Sequence, residues 1–234
     1  MSEENKKMLG EQLVRCLLDD KLPLDKKLKK MDYLIRLGGD INARYGTGYS
    51  ALSLAKFMKN DDLVNFLEER GAKEIGFDKE KAKEFFWTAS VEEINKVLSV
   101  LPDGYELDCD VDLSERCLTE LPDFSKFIVN GDFSCALNNL ETLKGAPREV
   151  GGNFYCDDNL LTCLRGAPRK VSGDFCCQRN QLTNLEGAPR EVGGKFRCDR
   201  NPLKSYEGKP EQIGGGFKAP DILSEGKRNA GIDR

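Results

Sequence analysis

Three stretches decide the fold: GNFYCDDN (152–159), GDFCCQRN (173–180) and GKFRCDRN (194–201). Cysteine and aspartate return together, which raises a metal site, a redox site, or a purely structural repeat. The spacing separates these readings. Phe133, Phe154, Phe175, Phe196 and Phe217 are each 21 residues apart. Cys135, Cys156, Cys177 and Cys198 follow at the same step, with Ala219 in the fifth place. Asn138, Asn159, Asn180 and Asn201 repeat in phase, as do Leu140, Leu161, Leu182 and Leu203. GAP stands at 145–147, 166–168 and 187–189, and GKP at 208–210. Many columns in phase over several turns mark a repeat architecture.

Each unit reads V-x-G-x-F-x-C-x-x-N-x-L-x-x-L-x-G-A-P. F-x-C predicts a short strand with Phe and Cys pointing inward, since alternate side chains take opposite faces. Stacked coils would then carry Phe and Cys as ladders about 4.8 Å apart. An inward Asn column predicts carboxamides that satisfy backbone groups where the chain leaves the strand. Gly-Ala-Pro marks the return turn, because proline extends neither strand nor helix there. The F-x-C-x-x-N-x-L core resembles the leucine-rich repeat pattern L-x-L-x-x-N-x-L. In its 21-residue, GAP-containing form it resembles repeats of bacterial, bacteriophage and giant-virus proteins. An earlier coil is visible at DVDLSERCLTELPD (110–123), one residue out of phase. Cysteines in one inward column form a line, whereas a metal needs ligands converging on a point. They are read as small core hydrophobes, with no metal and no cofactor. Cys176, between Phe175 and Cys177, is expected to point outward as an exposed thiol.

The first half has a different period. GYSALSLAKFMKNDDLVNFLEERGA (48–72) resembles an ankyrin repeat, with Ser50-Ala51-Leu52-Ser53-Leu54-Ala55 in place of T-P-L-H-x-A. YLIRLGGDINA (33–43) is similar to the ankyrin ending L-L-x-x-G-A-D-V-N-A, and Gly38 and Gly71 are 33 apart, the period of that family. Both glycines are expected to end helices in the left-handed conformation. Further helix pairs are expected on either side, one split at Pro23 and one broken near Ser90 in KAKEFFWTASVEEINKVLSVLPDG (81–104). The expected fold is an α+β repeat solenoid. Ankyrin-like helical repeats occupy 1–106 and continue into leucine-rich-repeat-like strand coils over 107–219, followed by a polar tail at 220–234.

Composition narrows the function. The chain has 234 residues, 36 Lys and Arg against 40 Asp and Glu, and a net charge of −4, which argues against a globally basic nucleic-acid binder. It contains no histidine, which removes Ser-His-Asp and Cys-His catalysis and any imidazole metal site. No run of eighteen apolar residues predicts a membrane span, and the polar start MSEENKKMLG lacks the apolar core of a signal peptide. An odd count of nine cysteines then points to reduced thiols and a cytoplasmic setting.

Repeat solenoids act through their surfaces. On the strand face, three outward columns are expected: Asp132, Asn153, Asp174 and Lys195; then Tyr155, Cys176, Arg197 and Lys218, with Asp112 in the earlier coil; then Asp157 and Gln178. Residues 108–123 carry six acidic groups and one Arg, and residues 195–218 six basic groups against three acidic ones, so the face runs from negative to positive. The expectation is a non-enzymatic docking surface for a protein partner, anchored by Tyr155 and Arg197, with no membrane role. The resemblance to viral and phage repeats implies a host-directed inhibitor or adaptor. Two alternatives stand beside it. One is a nucleic-acid binder or mimic using the charged ends, and the other is an enzyme of unrecognised type using carboxylates and Cys176. Self-association through the last strand coil near Phe217 is a further expectation. Asp108, Asp110 and Asp112 lack the Gly and bidentate Glu of a calcium loop. The glycine pairs read as repeat punctuation, Trp87 as part of an apolar helix face, and DKKLKKMDYLIRL (25–37) as a solvated helix.

Overall fold

A computed structural model describes residues 1–220, and the chain divides into two compact units, Met1–Asp103 and Gly104–Arg234. The polar tail expected at 220–234 lies outside the described residues from 221 onward.

The first unit is helical: α1 (Glu3–Leu17), α2 (Leu24–Arg36), α3 (Ala51–Phe57), α4 (Asp61–Glu68), α5 (Lys79–Thr88) and α6 (Val91–Leu98), with a two-stranded antiparallel hairpin, Arg44–Tyr45 against Tyr49–Ser50. Short polar side chains set most helix starts. Ser2, Ser50, Asn60, Asp78 and Ser90 each accept the backbone N–H three residues on, one of the donors a helix leaves unpaired. Ser90 and Glu93 complete a reciprocal capping box. Gly38 and Gly71 have φ of 88° and 77°, the left-handed conformation expected at the ends of α2 and α4. Helix α1 packs on α2 and α3 on α4, burying Leu13, Leu17, Met31, Leu54, Leu63 and Leu67. In α5, Phe85 and Phe86 are buried, but Trp87 is 52% exposed and does not belong to the apolar face. Three successive helical residues span most of a turn, so they cannot all face one side.

The second unit is a parallel β-solenoid. One six-stranded sheet contains Val111–Asp112, Phe133–Ser134, Phe154–Tyr155, Phe175–Cys176, Lys195–Arg197 and Gly216–Lys218. Each strand pairs in parallel with its counterpart one coil away: Phe133 with Phe154, Phe154 with Phe175, Phe175 with Phe196. The first step is one residue longer, Val111 with Phe133, which accounts for the out-of-phase coil. A second six-stranded sheet of two-residue strands runs from Glu106–Leu107 through Val150, Val171 and Val192 to Gln212–Ile213. It was not legible beforehand, because two residues are too few for an alternation pattern.

Between the sheets the side chains form ladders. The rings of Phe133, Phe154, Phe175 and Phe196 stack at centroid distances of 5.5, 5.2 and 5.1 Å and within 8° of parallel. These distances exceed the ~4.8 Å strand spacing, so successive rings are offset, the arrangement their quadrupoles prefer. Phe124 meets Phe133 edge-on at one end, and Tyr206 meets Phe217 edge-on at the other. Cys135, Cys156, Cys177 and Cys198 are fully buried. The Cys156 and Cys177 thiols donate to the carbonyls of Cys176 and Arg197 on the next coil, at 3.3 and 3.4 Å.

The buried asparagines join one coil to the next. The Asn180 Nδ2 donates to the Cys156 carbonyl of the preceding coil at 3.0 Å and to Cys177 in its own coil at 3.2 Å. Its Oδ1 accepts the Leu161 N–H at 3.0 Å. Asn159 and Asn201 repeat the pattern. Asn180→Ala leaves the buried Leu161 N–H unpaired and removes one of two asparagine donors from each of the Cys156 and Cys177 carbonyls, so it is expected to cost about 2–3 kcal/mol. Urea denaturation would measure it, and a loss below about 1 kcal/mol, the net worth of one ordinary hydrogen bond, would refute the ladder's role.

Candidate interaction surface

The outward residues of the first sheet and the turn that follows it form the candidate surface. Its first column is already engaged. The Asp110 carboxylate accepts the Asp132 N–H at 3.1 Å, Asp132 accepts that of Asn153 at 2.7 Å, Asn153 accepts that of Asp174 at 2.8 Å, and Asp174 accepts that of Lys195 at 2.7 Å. Each short polar side chain thus satisfies the strand-entry donor of the next coil. The glycine before each member from Asp132 onward is required by close approach: a Cβ on Gly173 would lie 2.7 Å from the Gly152 carbonyl oxygen of the preceding coil. This accounts for the glycine pairs as coil-contact positions.

The second column holds Asp112, Ser134, Tyr155, Cys176, Arg197 and Lys218 in register. Asp112 is exposed and its carboxylate accepts the Ser114 hydroxyl at 2.6 Å. Tyr155 is half-buried, and Arg197 reaches Asp174 at 3.5 Å. Cys176 is a correction to the sequence reading: it is only 4% exposed. The reason is the register. Cys176 pairs with Tyr155 on one side and Arg197 on the other, and these larger side chains exclude water from a short one. Burial pushes its thiol up to about 11, away from the reactive thiolate. Burial also raises Cys135, Cys156 and Cys177 well above the ordinary thiol range and Cys198 to about 12.

In the third column, Asp157 and Gln178 are half-buried. Burial raises the Asp157 carboxyl. The Gln178 Oε1 is buried with no hydrogen-bond partner among the described residues. Next to it runs a turn column that sequence reasoning missed. Leu137, Asp158, Arg179 and Arg200 all have positive φ, 52–58°, where glycine is usual. The repeat pattern shows no glycine there, so the conformation has no sequence signal. Arg179 pairs with Asp158 at 3.1 Å, and Lys218 with Asp199 at 3.6 Å.

The helical unit carries its own polar cavity of about 260 Å³, lined by residues of α1, the hairpin, α5 and α6. Arg15 pairs with Glu93 at 2.8 Å and lies 4.8 Å from the Tyr45 ring centre, and the Tyr45 hydroxyl donates to Glu93 at 3.1 Å. Burial pushes the Tyr45 phenol up to about 12, so it stays protonated at neutral pH. These three residues are far apart in sequence and form no motif. Among the described residues, no group of three or more Cys, Asp or Glu side chains is arranged to hold a metal ion, and no helix is long and apolar enough to cross a membrane.

Two outcomes follow from this geometry. Asp174→Ala is expected to cost about 1–2 kcal/mol in denaturation, through the lost acceptor for the Lys195 N–H, while Asp174→Asn keeps an oxygen there and stays within about 0.5 kcal/mol of wild type. Equal losses in the two variants would show that charge, not the acceptor, matters. In native protein at pH 8, iodoacetamide is expected to label Cys117, which is exposed, ahead of every other thiol, and to reach Cys176 only on unfolding. Peptide mass mapping that finds Cys176 labelled as fast as Cys117 would contradict its burial. No family model, no curated protein and no solved structure matches the chain.

Proposed function

We propose that the chain is a non-enzymatic, protein-binding solenoid, with ankyrin-like helical repeats preceding leucine-rich-repeat-like coils. Its setting is cytoplasmic and its role that of a viral or bacterial host-directed inhibitor or adaptor. The observation that carries the reading is the second outward column, where Tyr155 and Arg197 stand between an acidic start at Asp112 and a basic end at Lys218. A rigid sheet presents them at fixed spacing, and Tyr and Arg are the side chains that most often anchor interfaces. The charge gradient would orient the partner. Two features disfavour an enzyme. The chain has no histidine, and the thiol proposed as a nucleophile is buried.

The test is affinity purification with mass spectrometry, comparing wild type with a Tyr155→Ala/Arg197→Ala double variant of equal circular dichroism. A partner held by wild type is expected to be depleted about tenfold or more in the variant, as for loss of interface anchors. Equal recovery would remove the strand face from the binding site, and substrate turnover by the purified chain would overturn the non-enzymatic reading.

A further inference from the structure

In the lining of one pocket on the strand unit, four cations face a single carboxylate; Arg179, Arg197 and Lys218 each reach one acid, Asp158, Asp174 and Asp199, and Arg200 is left over. Arg179 and Arg200 occupy the same turn position in successive coils, both with left-handed backbone, at φ of 53° and 58°. Arg197 and Lys218 are register partners in the adjacent column. The four form a two-by-two array around a pocket of about 200 Å³, with Gln178 and Asp199 between the rows. Like charges directly opposite across neighbouring strands are unfavourable. On the return side several cations meet acids one coil away, Arg165 with Glu186 at 2.7 Å, Lys170 with Glu191 at 3.4 Å and Arg190 with Glu211 at 3.3 Å, although Arg148, Arg169 and Arg190 also follow one another there. In the array, Arg200 follows Arg179 at the 21-residue step; Arg179 pairs with Asp158 at 3.1 Å, and Arg200 has no ion pair among the described residues. Asp199 is the single carboxylate in the lining. The left-handed turn itself recurs in the coils of Leu137 and Asp158, so what distinguishes the last two coils is the arginine charge placed on it.

We infer that this pocket binds a phosphoryl group. One carboxylate ligand would offset a single charge, whereas a phosphoryl group brings about −1.5 to −2 charges and three strong acceptor oxygens. Arginine forks match that geometry bidentately. The pocket is several times the ~30 Å³ share of a water molecule, so it has room for one tetrahedral oxyanion with some solvent. Gln178 adds a carboxamide with an unpartnered oxygen, and a half-turn about its last torsion presents the NH₂ as a donor to the same anion. The inference goes beyond the protein-binding reading and does not depend on it, because the group could be free phosphate or a phosphorylated side chain.

The experiment is isothermal titration calorimetry on the full chain in low-salt buffer free of phosphate and sulfate. The probes are inorganic phosphate, a phosphoserine peptide and its unphosphorylated counterpart. Arg200→Asn is the principal variant, since asparagine tolerates the left-handed backbone and leaves the coil intact. Lys218→Gln is the second, and Arg169→Gln on the return side controls for net charge. Saturable binding of phosphate or the phosphopeptide is expected, weakened about tenfold or more by Arg200→Asn and by Lys218→Gln and unchanged by Arg169→Gln. A phosphopeptide bound tighter than phosphate would identify a protein-borne group, and equal affinities a free anion; either supports the site. Absence of saturable binding, equal weakening by Arg169→Gln, or equal affinity for the unphosphorylated peptide would overturn it.

Discussion

A buried carboxamide repeated once per coil governs the strand unit. In a two-sheet stack of two-residue strands, the chain must turn sharply between short ladders. Each turn leaves donors and acceptors facing the interior, where an unpaired group is costly. Asn138, Asn159, Asn180 and Asn201 meet that need with both ends of the amide, and Asn159, Asn180 and Asn201 reach the coil before them with both. Asparagine suits the position because its short side chain carries a donor and an acceptor on one rigid plane. Aspartate would set a charge against the carbonyls, and leucine would satisfy none of them.

The apolar columns depend on this ladder for register and in turn keep water from it. Phenylalanine rings repeat at a spacing that permits offset stacking, and Phe124 and Tyr206 close the row edge-on at its two ends. Cysteine fills the gap beside each ring. It has the small volume the coil allows, and its thiol gives a weak donor toward the next coil's carbonyl. The recurrence of Cys with Asp is thus a packing rule. Inward Cys and outward Asp lie on opposite faces of one short strand, and the aspartate column spends its oxygens on backbone donors.

That last point shapes the candidate surface. Asp132, Asn153 and Asp174 look available for a partner when considered as side chains, yet each holds the next coil's N–H. What remains projecting is narrower: Tyr155, Arg197 and Lys218, with the turn arginines 179 and 200 beside them. The helical unit is built on other terms, through capped helix starts, glycine-terminated ends and a polar network of Arg15, Tyr45 and Glu93.

Much of this was determined by sequence alone. The 21-residue period, the inward Phe, Cys and Asn columns, the longer first coil, the helix breaks near Pro23 and Ser90, and the left-handed Gly38 and Gly71 follow from periodicity and local backbone preference, which act over a few residues. Other features were decided only in three dimensions. The second sheet is too short for a pattern. Cys176 alternates outward but is covered by neighbours a full coil away in each direction. The left-handed arginines carry no glycine signal, and Trp87 leaves its helix's apolar face. In the strand unit the deciding contact is with a residue about 21 positions distant, or with a turn geometry that the stack imposes; for Trp87 it is the rotation of one helical residue to the next. Local sequence fixes which way a side chain points; whether it then meets water, backbone or another charge depends on what the adjacent coil places against it.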